Sequence, residues 1–307
     1  MKTLAISIGD LNGIGLQIAL EAHAIIKTKC KPLYCIKETM LTQGALLLNK
    51  EVPQDFTCIP CGKDFKIKPS MPTKKSGAYA FASFQKAIEL TQNAQADAIV
   101  TLPINKEAWQ KAKVPYKGHT DALADILNTQ TIMMLGCQKL FIILYTHHIP
   151  MKDVSKHLHV KELQAFLLAV QEHLHVSKIA VLGYNPHAGD NGVIGHEDKA
   201  IKKAIQKANK ALGADVFNGP MVPDTAFTYN NTQNYTYFVC MYHDQGLIPL
   251  KTLYFEESIN VSLNDKIIRT SVDHGTAYDI AYKGITPSSV SYLNAIDEAL
   301  LLSDANK

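Results

Sequence analysis

Short apolar segments rich in β-branched residues alternate along this chain with longer segments that have helical periodicity. The strand-like segments cover residues 4–8, 98–101, 140–145, 179–182 and 237–241. Helical periodicity is clear over residues 161–175 and 197–212, and Pro287 is expected to open a last helix. This alternation is typical of an α/β protein with a largely parallel sheet.

The length of 307 residues is expected to form two domains. The 31 basic and 28 acidic residues leave a net charge of +3, carried by scattered lysines. We therefore expect no nucleic-acid and no membrane partner. With no apolar run near the ~18 residues of a membrane span and no signal-peptide pattern, a soluble, cytoplasmic protein is expected. The six cysteines are expected to be reduced and mostly buried, although Cys58 and Cys61 form a C-x-x-C pair that a zinc knot would also use.

Polar residues follow each predicted strand, and ligands of open α/β sheets bind beyond the carboxyl ends of the strands. Three of these strand ends carry histidines, namely His148, His187 and His243. Three neutral imidazoles brought to one place would bind a divalent cation and leave positions open for substrate. The alternative for each is an ordinary hydrogen-bonding loop residue.

Only one of the 31 basic residues, Arg269, is an arginine. In so lysine-rich a chain, a retained arginine indicates a need for a planar, bidentate donor toward phosphate or carboxylate, and the alternative is chance. Lys251 adds a second cation. His119 and Thr120, at the start of a helical stretch, would contact a phosphorylated ligand, although Thr120 would serve equally as a helix cap. The loop at residues 9–15 is either an anion cradle or a tight strand-to-helix turn.

Seven motifs in this chain occur in the same order in a known family. The chain resembles the 4-hydroxythreonine-4-phosphate dehydrogenases of vitamin B6 biosynthesis, from residue 1 to about residue 285. The matching segments are Pro-Ile-Asn-Lys at 103–106, Gly-His-Thr-Asp at 118–121, His-Ile-Pro-Met-Lys-Asp-Val at 148–154, Asn-Pro-His-Ala-Gly at 185–189, Gly-Pro-Met-Val-Pro-Asp-Thr-Ala-Phe at 219–227, Tyr-His-Asp-Gln-Gly-Leu at 242–247 and Arg-Thr-Ser-Val-Asp-His-Gly-Thr-Ala at 269–277.

The resemblance implies roles for residues at matching positions. The metal ligands would be His148, with His147 as the alternative, His187 and His243. They would hold one divalent ion (zinc, magnesium or cobalt) at each site of a homodimer, with the partner subunit contributing at the interface. The residues that bind the phosphorylated amino-acid substrate would be His119, Thr120, Lys251, Asn260 and Arg269.

The segment from His274 also resembles the cofactor loop of isocitrate and isopropylmalate dehydrogenases, which share the family's fold of two α/β/α domains around a cleft. Residues 1–124 and 252–307 would form the domain with the cofactor loop, and residues 125–251 the domain with the metal site and the dimer contacts. His274, Gly275 and Thr276 would contact the cofactor. Asp279 would bind the ribose hydroxyls, which favours NAD over NADP, or would be a surface residue.

The implied reaction is NAD-dependent, metal-assisted oxidation of 4-phosphooxy-L-threonine at C3. Its product, 2-amino-3-oxo-4-phosphooxybutanoate, would decarboxylate to 3-amino-2-oxopropyl phosphate on the way to pyridoxine 5'-phosphate. Asp244, Lys106 and Asp273 are the candidates for the base. The alternatives are a dehydrogenase of a phosphorylated sugar acid such as tetronate 4-phosphate, a metal-dependent phosphohydrolase and a non-catalytic binding module.

Overall fold

The computed structural model describes residues 1–264 and 266–305, and it contains alternating strands and helices. The strands are β1 (Thr3–Ser7), β2 (Lys31–Cys35), β3 (Cys58–Ile59), β4 (Ala98–Thr101), β5 (Ile132–Cys137), β6 (Leu140–Leu144), β7 (Ile179–Leu182), β8 (Phe217–Met221), β9 (Tyr237–Cys240), β10 (Ile259–Leu263) and β11 (Arg269–Val272). The α-helices are α1 (Gly15–Lys29), α2 (Glu38–Leu48), α3 (Lys74–Gln92), α4 (Lys106–Lys111), α5 (His119–Leu127), α6 (Met151–Val154), α7 (Val160–Leu174), α8 (Glu197–Leu212), α9 (Tyr229–Asn234), α10 (His243–Tyr254) and α11 (Val290–Ala305).

The chain divides into two compact units. The first unit contains residues 1–131 and 259–307, and the second contains residues 132–258. The sequence placed the boundaries after residues 124 and 251, and both lie seven residues later. Each predicted boundary falls inside a helix, α5 or α10. The chain completes that helix before it passes into the other unit.

In the first unit the strand order is β3-β2-β1-β4-β11-β10. Neighbouring strands run parallel except β10, which is antiparallel to β11. Four of the five residues of β1 and all four of β4 are buried, as expected for parallel strands covered by helices on both faces. Because β11 runs parallel to β4, the backbone of Arg269 lies beside Ile99, and Ser271 lies beside Thr101 at the carboxyl end of β4.

In the second unit the strand order is β5-β6-β9-β7-β8. Only the β5–β6 hairpin is antiparallel. Its apolar core includes Ile142, Leu182, Phe238 and Leu250. Since β6 and β9 run parallel, His148 and His243, which follow these strands, emerge at the same end. The predicted α/β class with largely parallel strands is confirmed in each unit.

The six cysteines are free thiols, as expected, and five of them are buried. Burial raises the pKa of Cys61 to about 11, so this thiol is protonated at neutral pH. No helix within the described residues combines the length and the apolar surface that crossing a bilayer requires.

Replacement of Glu298 by glutamine is expected to stabilise the protein at high pH. This α11 residue is 1 % exposed, its Oε1 has no hydrogen-bond partner among the described residues, and burial raises its pKa to about 7. The folded state therefore binds more protons than the unfolded state between an ordinary carboxyl pKa and about 7, so stability falls as pH rises through that interval. This pKa shift corresponds to a loss of about 3 kcal/mol in the free energy of unfolding across that interval.

Urea unfolding at pH 5 and pH 8 tests this expectation. Glu298→Gln should flatten the loss of unfolding free energy between the two pH values. Glu51→Gln, at an exposed position in the same unit, is the matched control and should leave the loss unchanged. Equal pH slopes in the parent protein and in Glu298→Gln would show that this carboxyl does not titrate in the predicted range.

Candidate active site

Arg269 is buried at the start of β11, where the hydroxyl groups of three described residues hold its guanidinium. Nε and Nη2 donate to Thr101 Oγ1 at 3.1 and 2.8 Å, and Nη1 donates to Ser262 Oγ at 3.0 Å and Thr120 Oγ1 at 3.5 Å. The residue is 3 % exposed, and burial lowers its pKa to about 9, so it is charged at neutral pH. No carboxylate in the described part of the chain pairs with it. A buried, fixed cation without an acidic partner favours an anionic ligand.

Two polar atoms of the predicted substrate set are buried without a hydrogen-bond partner among the described residues. His119, the first residue of α5, is 6 % exposed, and its Nε2 has no hydrogen bond to any described residue. The Oδ1 of Asn260, on β10, likewise has no hydrogen-bond partner among the described residues. A buried polar atom without a partner costs about 1–3 kcal/mol, and a ligand would remove that cost. Both residues belong to the predicted substrate set.

His119 is held as a neutral imidazole. Its ring packs edge-on against Phe84 and Trp109, at centroid distances of 4.6 and 5.4 Å. Burial is the main cause that lowers its pKa well below the ordinary value, and the nearby charge of Arg269 adds to it. A neutral imidazole still donates one hydrogen bond, so His119 suits recognition of an oxygen rather than ion pairing.

The loop after β1 is a tight strand-to-helix turn. Gly9 has a φ of +71°, and a Cβ there would lie 2.2 Å from the Pro103 carbonyl oxygen, so only glycine fits. The amide groups of Gly13 and Ile14, which would face an anion in a cradle, donate instead to carbonyl oxygens of Asp10 and Thr276. Of the two alternatives for this loop, the structure supports the turn.

The predicted cofactor residues lie in the irregular segment after β11. Thr276 is 7 % exposed, whereas Gly275 and Asp279 are exposed. His274 Nε2 is buried without a partner among the described residues, and open space surrounds the Cα of Gly275. An unpartnered imidazole nitrogen beside an open backbone position fits a ligand that carries hydrogen-bonding groups.

Two of the predicted metal ligands lie together in the second unit. The rings of His148 and His243 are 5.7 Å apart, and both line a concavity of about 200 Å3 together with His147. His243 Nδ1 lies 2.7 Å from Asp244 Oδ1, which orients the ring and leaves Nε2 available. A carboxylate on the second nitrogen is the usual support of a metal-binding histidine. The donor set therefore fits a divalent cation that accepts imidazole nitrogen.

His187 does not join this pair within one chain. It belongs to a turn in which five consecutive residues are left-handed, with φ from 43° to 78°, and it lines a different concavity of about 500 Å3. His187 lies in the segment after β7, as the sequence predicted, and that segment forms this turn. Among the described residues, no three potential ligands lie close enough together to bind a metal. Contribution from a second chain stays a prediction.

The remaining predicted residues have separate surroundings. Lys251 on α10 donates to Ser258 Oγ at 3.2 Å, and its ammonium lies 5.3 Å from the centre of the Phe255 ring. Lys106 is exposed at the first position of α4. Asp273 follows β11, and its backbone amide donates to Ser291 Oγ at 3.1 Å. Asp244 is exposed and engaged with His243.

Comparison with known families identifies the chain. Residues 27–299 match the family described as "Pyridoxal phosphate biosynthetic protein PdxA". The chain belongs to the PdxA family. The resemblance inferred from the sequence motifs is thereby confirmed.

Curated relatives of this PdxA-family chain are similar over almost its whole length. A 4-hydroxythreonine-4-phosphate dehydrogenase of Sulfurimonas denitrificans is 51 % identical, covering 98 % of each chain. The enzyme of that name from Campylobacter fetus subsp. fetus is 52 % identical, covering 99 % of each. The expectation of an oxidoreductase is confirmed by these similarities.

Solved structures agree with the predicted fold. A 4-hydroxythreonine-4-phosphate dehydrogenase from Klebsiella pneumoniae matches with a TM-score of 0.83 at 30 % identity, covering 99 % of this chain and 100 % of that one. An isocitrate dehydrogenase from Methylococcus capsulatus matches with a TM-score of 0.51 at 13 % identity, covering 100 % and 88 %. The second match supports the predicted relation in fold.

Sequence reasoning did not find Thr101 and Ser262, which hold Arg269. Both are small hydroxyl residues in strands, a pattern that is too common to indicate a site. Thr101 is the last residue of a correctly predicted strand and lies just before the Pro-Ile-Asn-Lys motif. That position was the signal in the sequence that could have indicated a role for Thr101 in the site.

Proposed function

We propose that this PdxA-family chain oxidises 4-phosphooxy-L-threonine at C3 with NAD as the hydride acceptor. The observation that carries the proposal is the buried guanidinium of Arg269, which hydroxyl groups hold and which has no acidic partner among the described residues. It accompanies two unpartnered polar atoms of the predicted substrate set, His119 Nε2 and Asn260 Oδ1. Relatives at 51 % and 52 % identity are named for this reaction.

The chain's residues bind and orient the substrate. Arg269 and Lys251 supply positive charge to the phosphate, and His119, Thr120 and Asn260 supply directional hydrogen bonds. These contacts are remote from C3, so their binding energy serves to orient the reacting carbon. One of Asp244, Lys106 and Asp273 accepts the hydroxyl proton. The product is 2-amino-3-oxo-4-phosphooxybutanoate, which loses its carboxylate as carbon dioxide to give 3-amino-2-oxopropyl phosphate.

Two bound groups would supply the chemistry that amino acids lack. His148, His187 and His243 would hold a divalent cation (zinc, magnesium or cobalt), which supplies Lewis acidity at the substrate oxygen. His274, Gly275, Thr276 and Asp279 would hold the nicotinamide nucleotide, which accepts the hydride. The exposed Asp279 carboxylate would repel a 2′-phosphate, which favours NAD over NADP.

We further propose a cytoplasmic homodimer in which a second copy completes each metal site. The support is the position of His187, which lies apart from His148 and His243 within one chain although the resemblance assigns all three to the metal.

One experiment tests the reaction and its metal dependence together. It follows NADH absorbance in a mixture of protein, NAD and 4-phosphooxy-L-threonine, with and without EDTA. NADH formation that EDTA abolishes and zinc, magnesium or cobalt restores is expected. Formation that is indifferent to EDTA would remove the metal from the proposal. Absence of NADH with any metal would contradict the substrate assignment, and a parallel reaction with a tetronate 4-phosphate would then identify the sugar-acid activity.

A further inference from the structure

The segment at residues 273–283 lacks helix and strand although the proposed function assigns the cofactor to it. Ala277, in its centre, is left-handed with a φ of 43°, a conformation that disfavours any residue with a Cβ. The turn is closed locally by the amides of Ile280 and Ala281, which both donate to the Ala277 carbonyl. Such a backbone holds its shape only when contacts from elsewhere fix it.

Those contacts come from the loop after β1, more than 260 residues earlier in the chain. The Tyr278 hydroxyl donates to Asp10 Oδ2 at 3.0 Å, on one side of the Ala277 turn. On the other side, Ile14 N donates to the Thr276 carbonyl at 3.1 Å. The two backbones touch, because a Cβ on Gly13 would lie 2.7 Å from the Thr276 carbonyl oxygen.

Asp10 is itself rigidly held. It is fully buried, and its Oδ1 accepts from the Asn12 amide at 2.9 Å. Its Oδ2 also accepts from Ser76 Oγ at 3.1 Å, and its amide donates to the Pro103 carbonyl at 2.9 Å. Ser76 belongs to the capping box of α3, so the carboxylate is tied to a helix and to the end of β4.

We propose that Asp10 is a positioning residue for the nicotinamide cofactor, acting through its hydrogen bond to Tyr278. Together with the bonds from Ile14 N to the Thr276 carbonyl and from the Tyr282 hydroxyl to the Leu11 carbonyl, this bond keeps Ala277 in its left-handed turn and orders residues 274–279. The segment is then ordered before the cofactor binds, which removes an entropic cost from binding. This inference rests on the proposed function only in assigning the cofactor to residues 274–279.

The mildest test removes the hydroxyl alone, with Tyr278→Phe. We expect the Kd for NAD, measured by calorimetry on the whole protein, to rise about tenfold, as is typical for the loss of one hydrogen bond to a charged group. Hydrogen–deuterium exchange at residues 273–283 should rise in the cofactor-free protein. Asp10→Asn should have the same two effects. The double variant should be no weaker than the weaker single variant, because both remove one interaction.

Tyr79→Phe is the matched control. Tyr79 is a buried tyrosine of the same unit, and its hydroxyl accepts from the Lys37 amide at 2.9 Å, so its loss affects stability without touching residues 273–283. We expect this variant to bind NAD like the parent protein even where its melting temperature falls.

The outcomes separate this inference from the proposed function. An unchanged Kd for NAD in Tyr278→Phe, an equal loss in Tyr79→Phe, or weaker binding with unchanged exchange at residues 273–283 would each overturn the role of Asp10. Failure of the unaltered protein to bind NAD or NADP would overturn the proposed function, and the positioning role with it.

Discussion

Arg269→Lys is expected to lower kcat/KM for 4-phosphooxy-L-threonine by about a hundredfold or more. A lysine ammonium cannot reproduce the planar fork that contacts Thr101 and Ser262 while still facing an anion. Disruption of a buried, hydrogen-bonded charge interaction costs about 2–5 kcal/mol, which corresponds to this loss. The KM for NAD should change little, because the cofactor is assigned to residues 274–279.

Steady-state kinetics with each substrate varied in turn provide the measurement, and the Ki of inorganic phosphate as a competitive inhibitor provides a second one. Lys31→Gln is the control for substitution of a basic residue elsewhere in the same unit, since Lys31 is exposed at the start of β2. A phosphate Ki that is equal in the parent and Arg269→Lys proteins would remove Arg269 from phosphate binding. Thermal melting would show whether the variant is folded.

The strands that sequence reasoning found are short apolar segments that are buried along all or nearly all of their length. Residues 98–101 and 179–182 are apolar, β-branched segments inside parallel sheets, and both strands lie where they were predicted. The helix at residues 197–212 was also placed correctly, because a lysine-rich face alternates with buried Ile201, Ala204 and Ile205. Strong periodicity therefore sufficed for these elements.

Three of the six missed strands, β8, β10 and β11, have mixed composition. Strand β11 begins with Arg269, and β10 contains Asn260 and Ser262, so neither shows an apolar run. Strand β8 contains Gly219 and Pro220, which argue against a strand; it lies at the end of the strand order, where proline is tolerated. The polar residues that hid β10 and β11 are the ones that build the candidate phosphate site.

The resemblance of the motifs assigned roles to individual residues for which composition and spacing allowed more than one interpretation. Neither the motifs nor the spacing predicted which residues these side chains contact. Apart from the position of Thr101 at a strand end, the sequence did not indicate that Thr101 and Ser262 would be the partners of Arg269. These pairs are 168 and 7 residues apart and meet through strand pairing. The sequence also did not predict the left-handed turn at His187. Asp198 accepts the amides of Tyr184 and Asn185 at 2.7 and 3.2 Å and stabilises the residues that precede this turn.

His243→Ala is expected to weaken binding of the divalent metal by more than about a hundredfold, with a parallel loss of kcat. Loss of a residue that supports a metal ligand typically costs about 10–100-fold in metal affinity, and loss of the ligand itself should cost more. Asp244→Asn should fall within the smaller range, because it weakens the orientation of the His243 ring, whose Nδ1 lies 2.7 Å from Asp244 Oδ1. Chelator competition with zinc measures the affinity independently of turnover.

His159→Ala is the matched control for removal of an imidazole in the second unit. His159 is exposed and precedes α7 without a side-chain capping bond, so its loss should affect neither metal affinity nor activity. We expect the loss of zinc affinity to be largest in His243→Ala and smaller in Asp244→Asn. The zinc affinity of His159→Ala should equal that of the parent protein. A zinc affinity that is the same in all three variants would exclude the histidine site, and an effect of Asp244→Asn on kcat alone would instead indicate that Asp244 is the base.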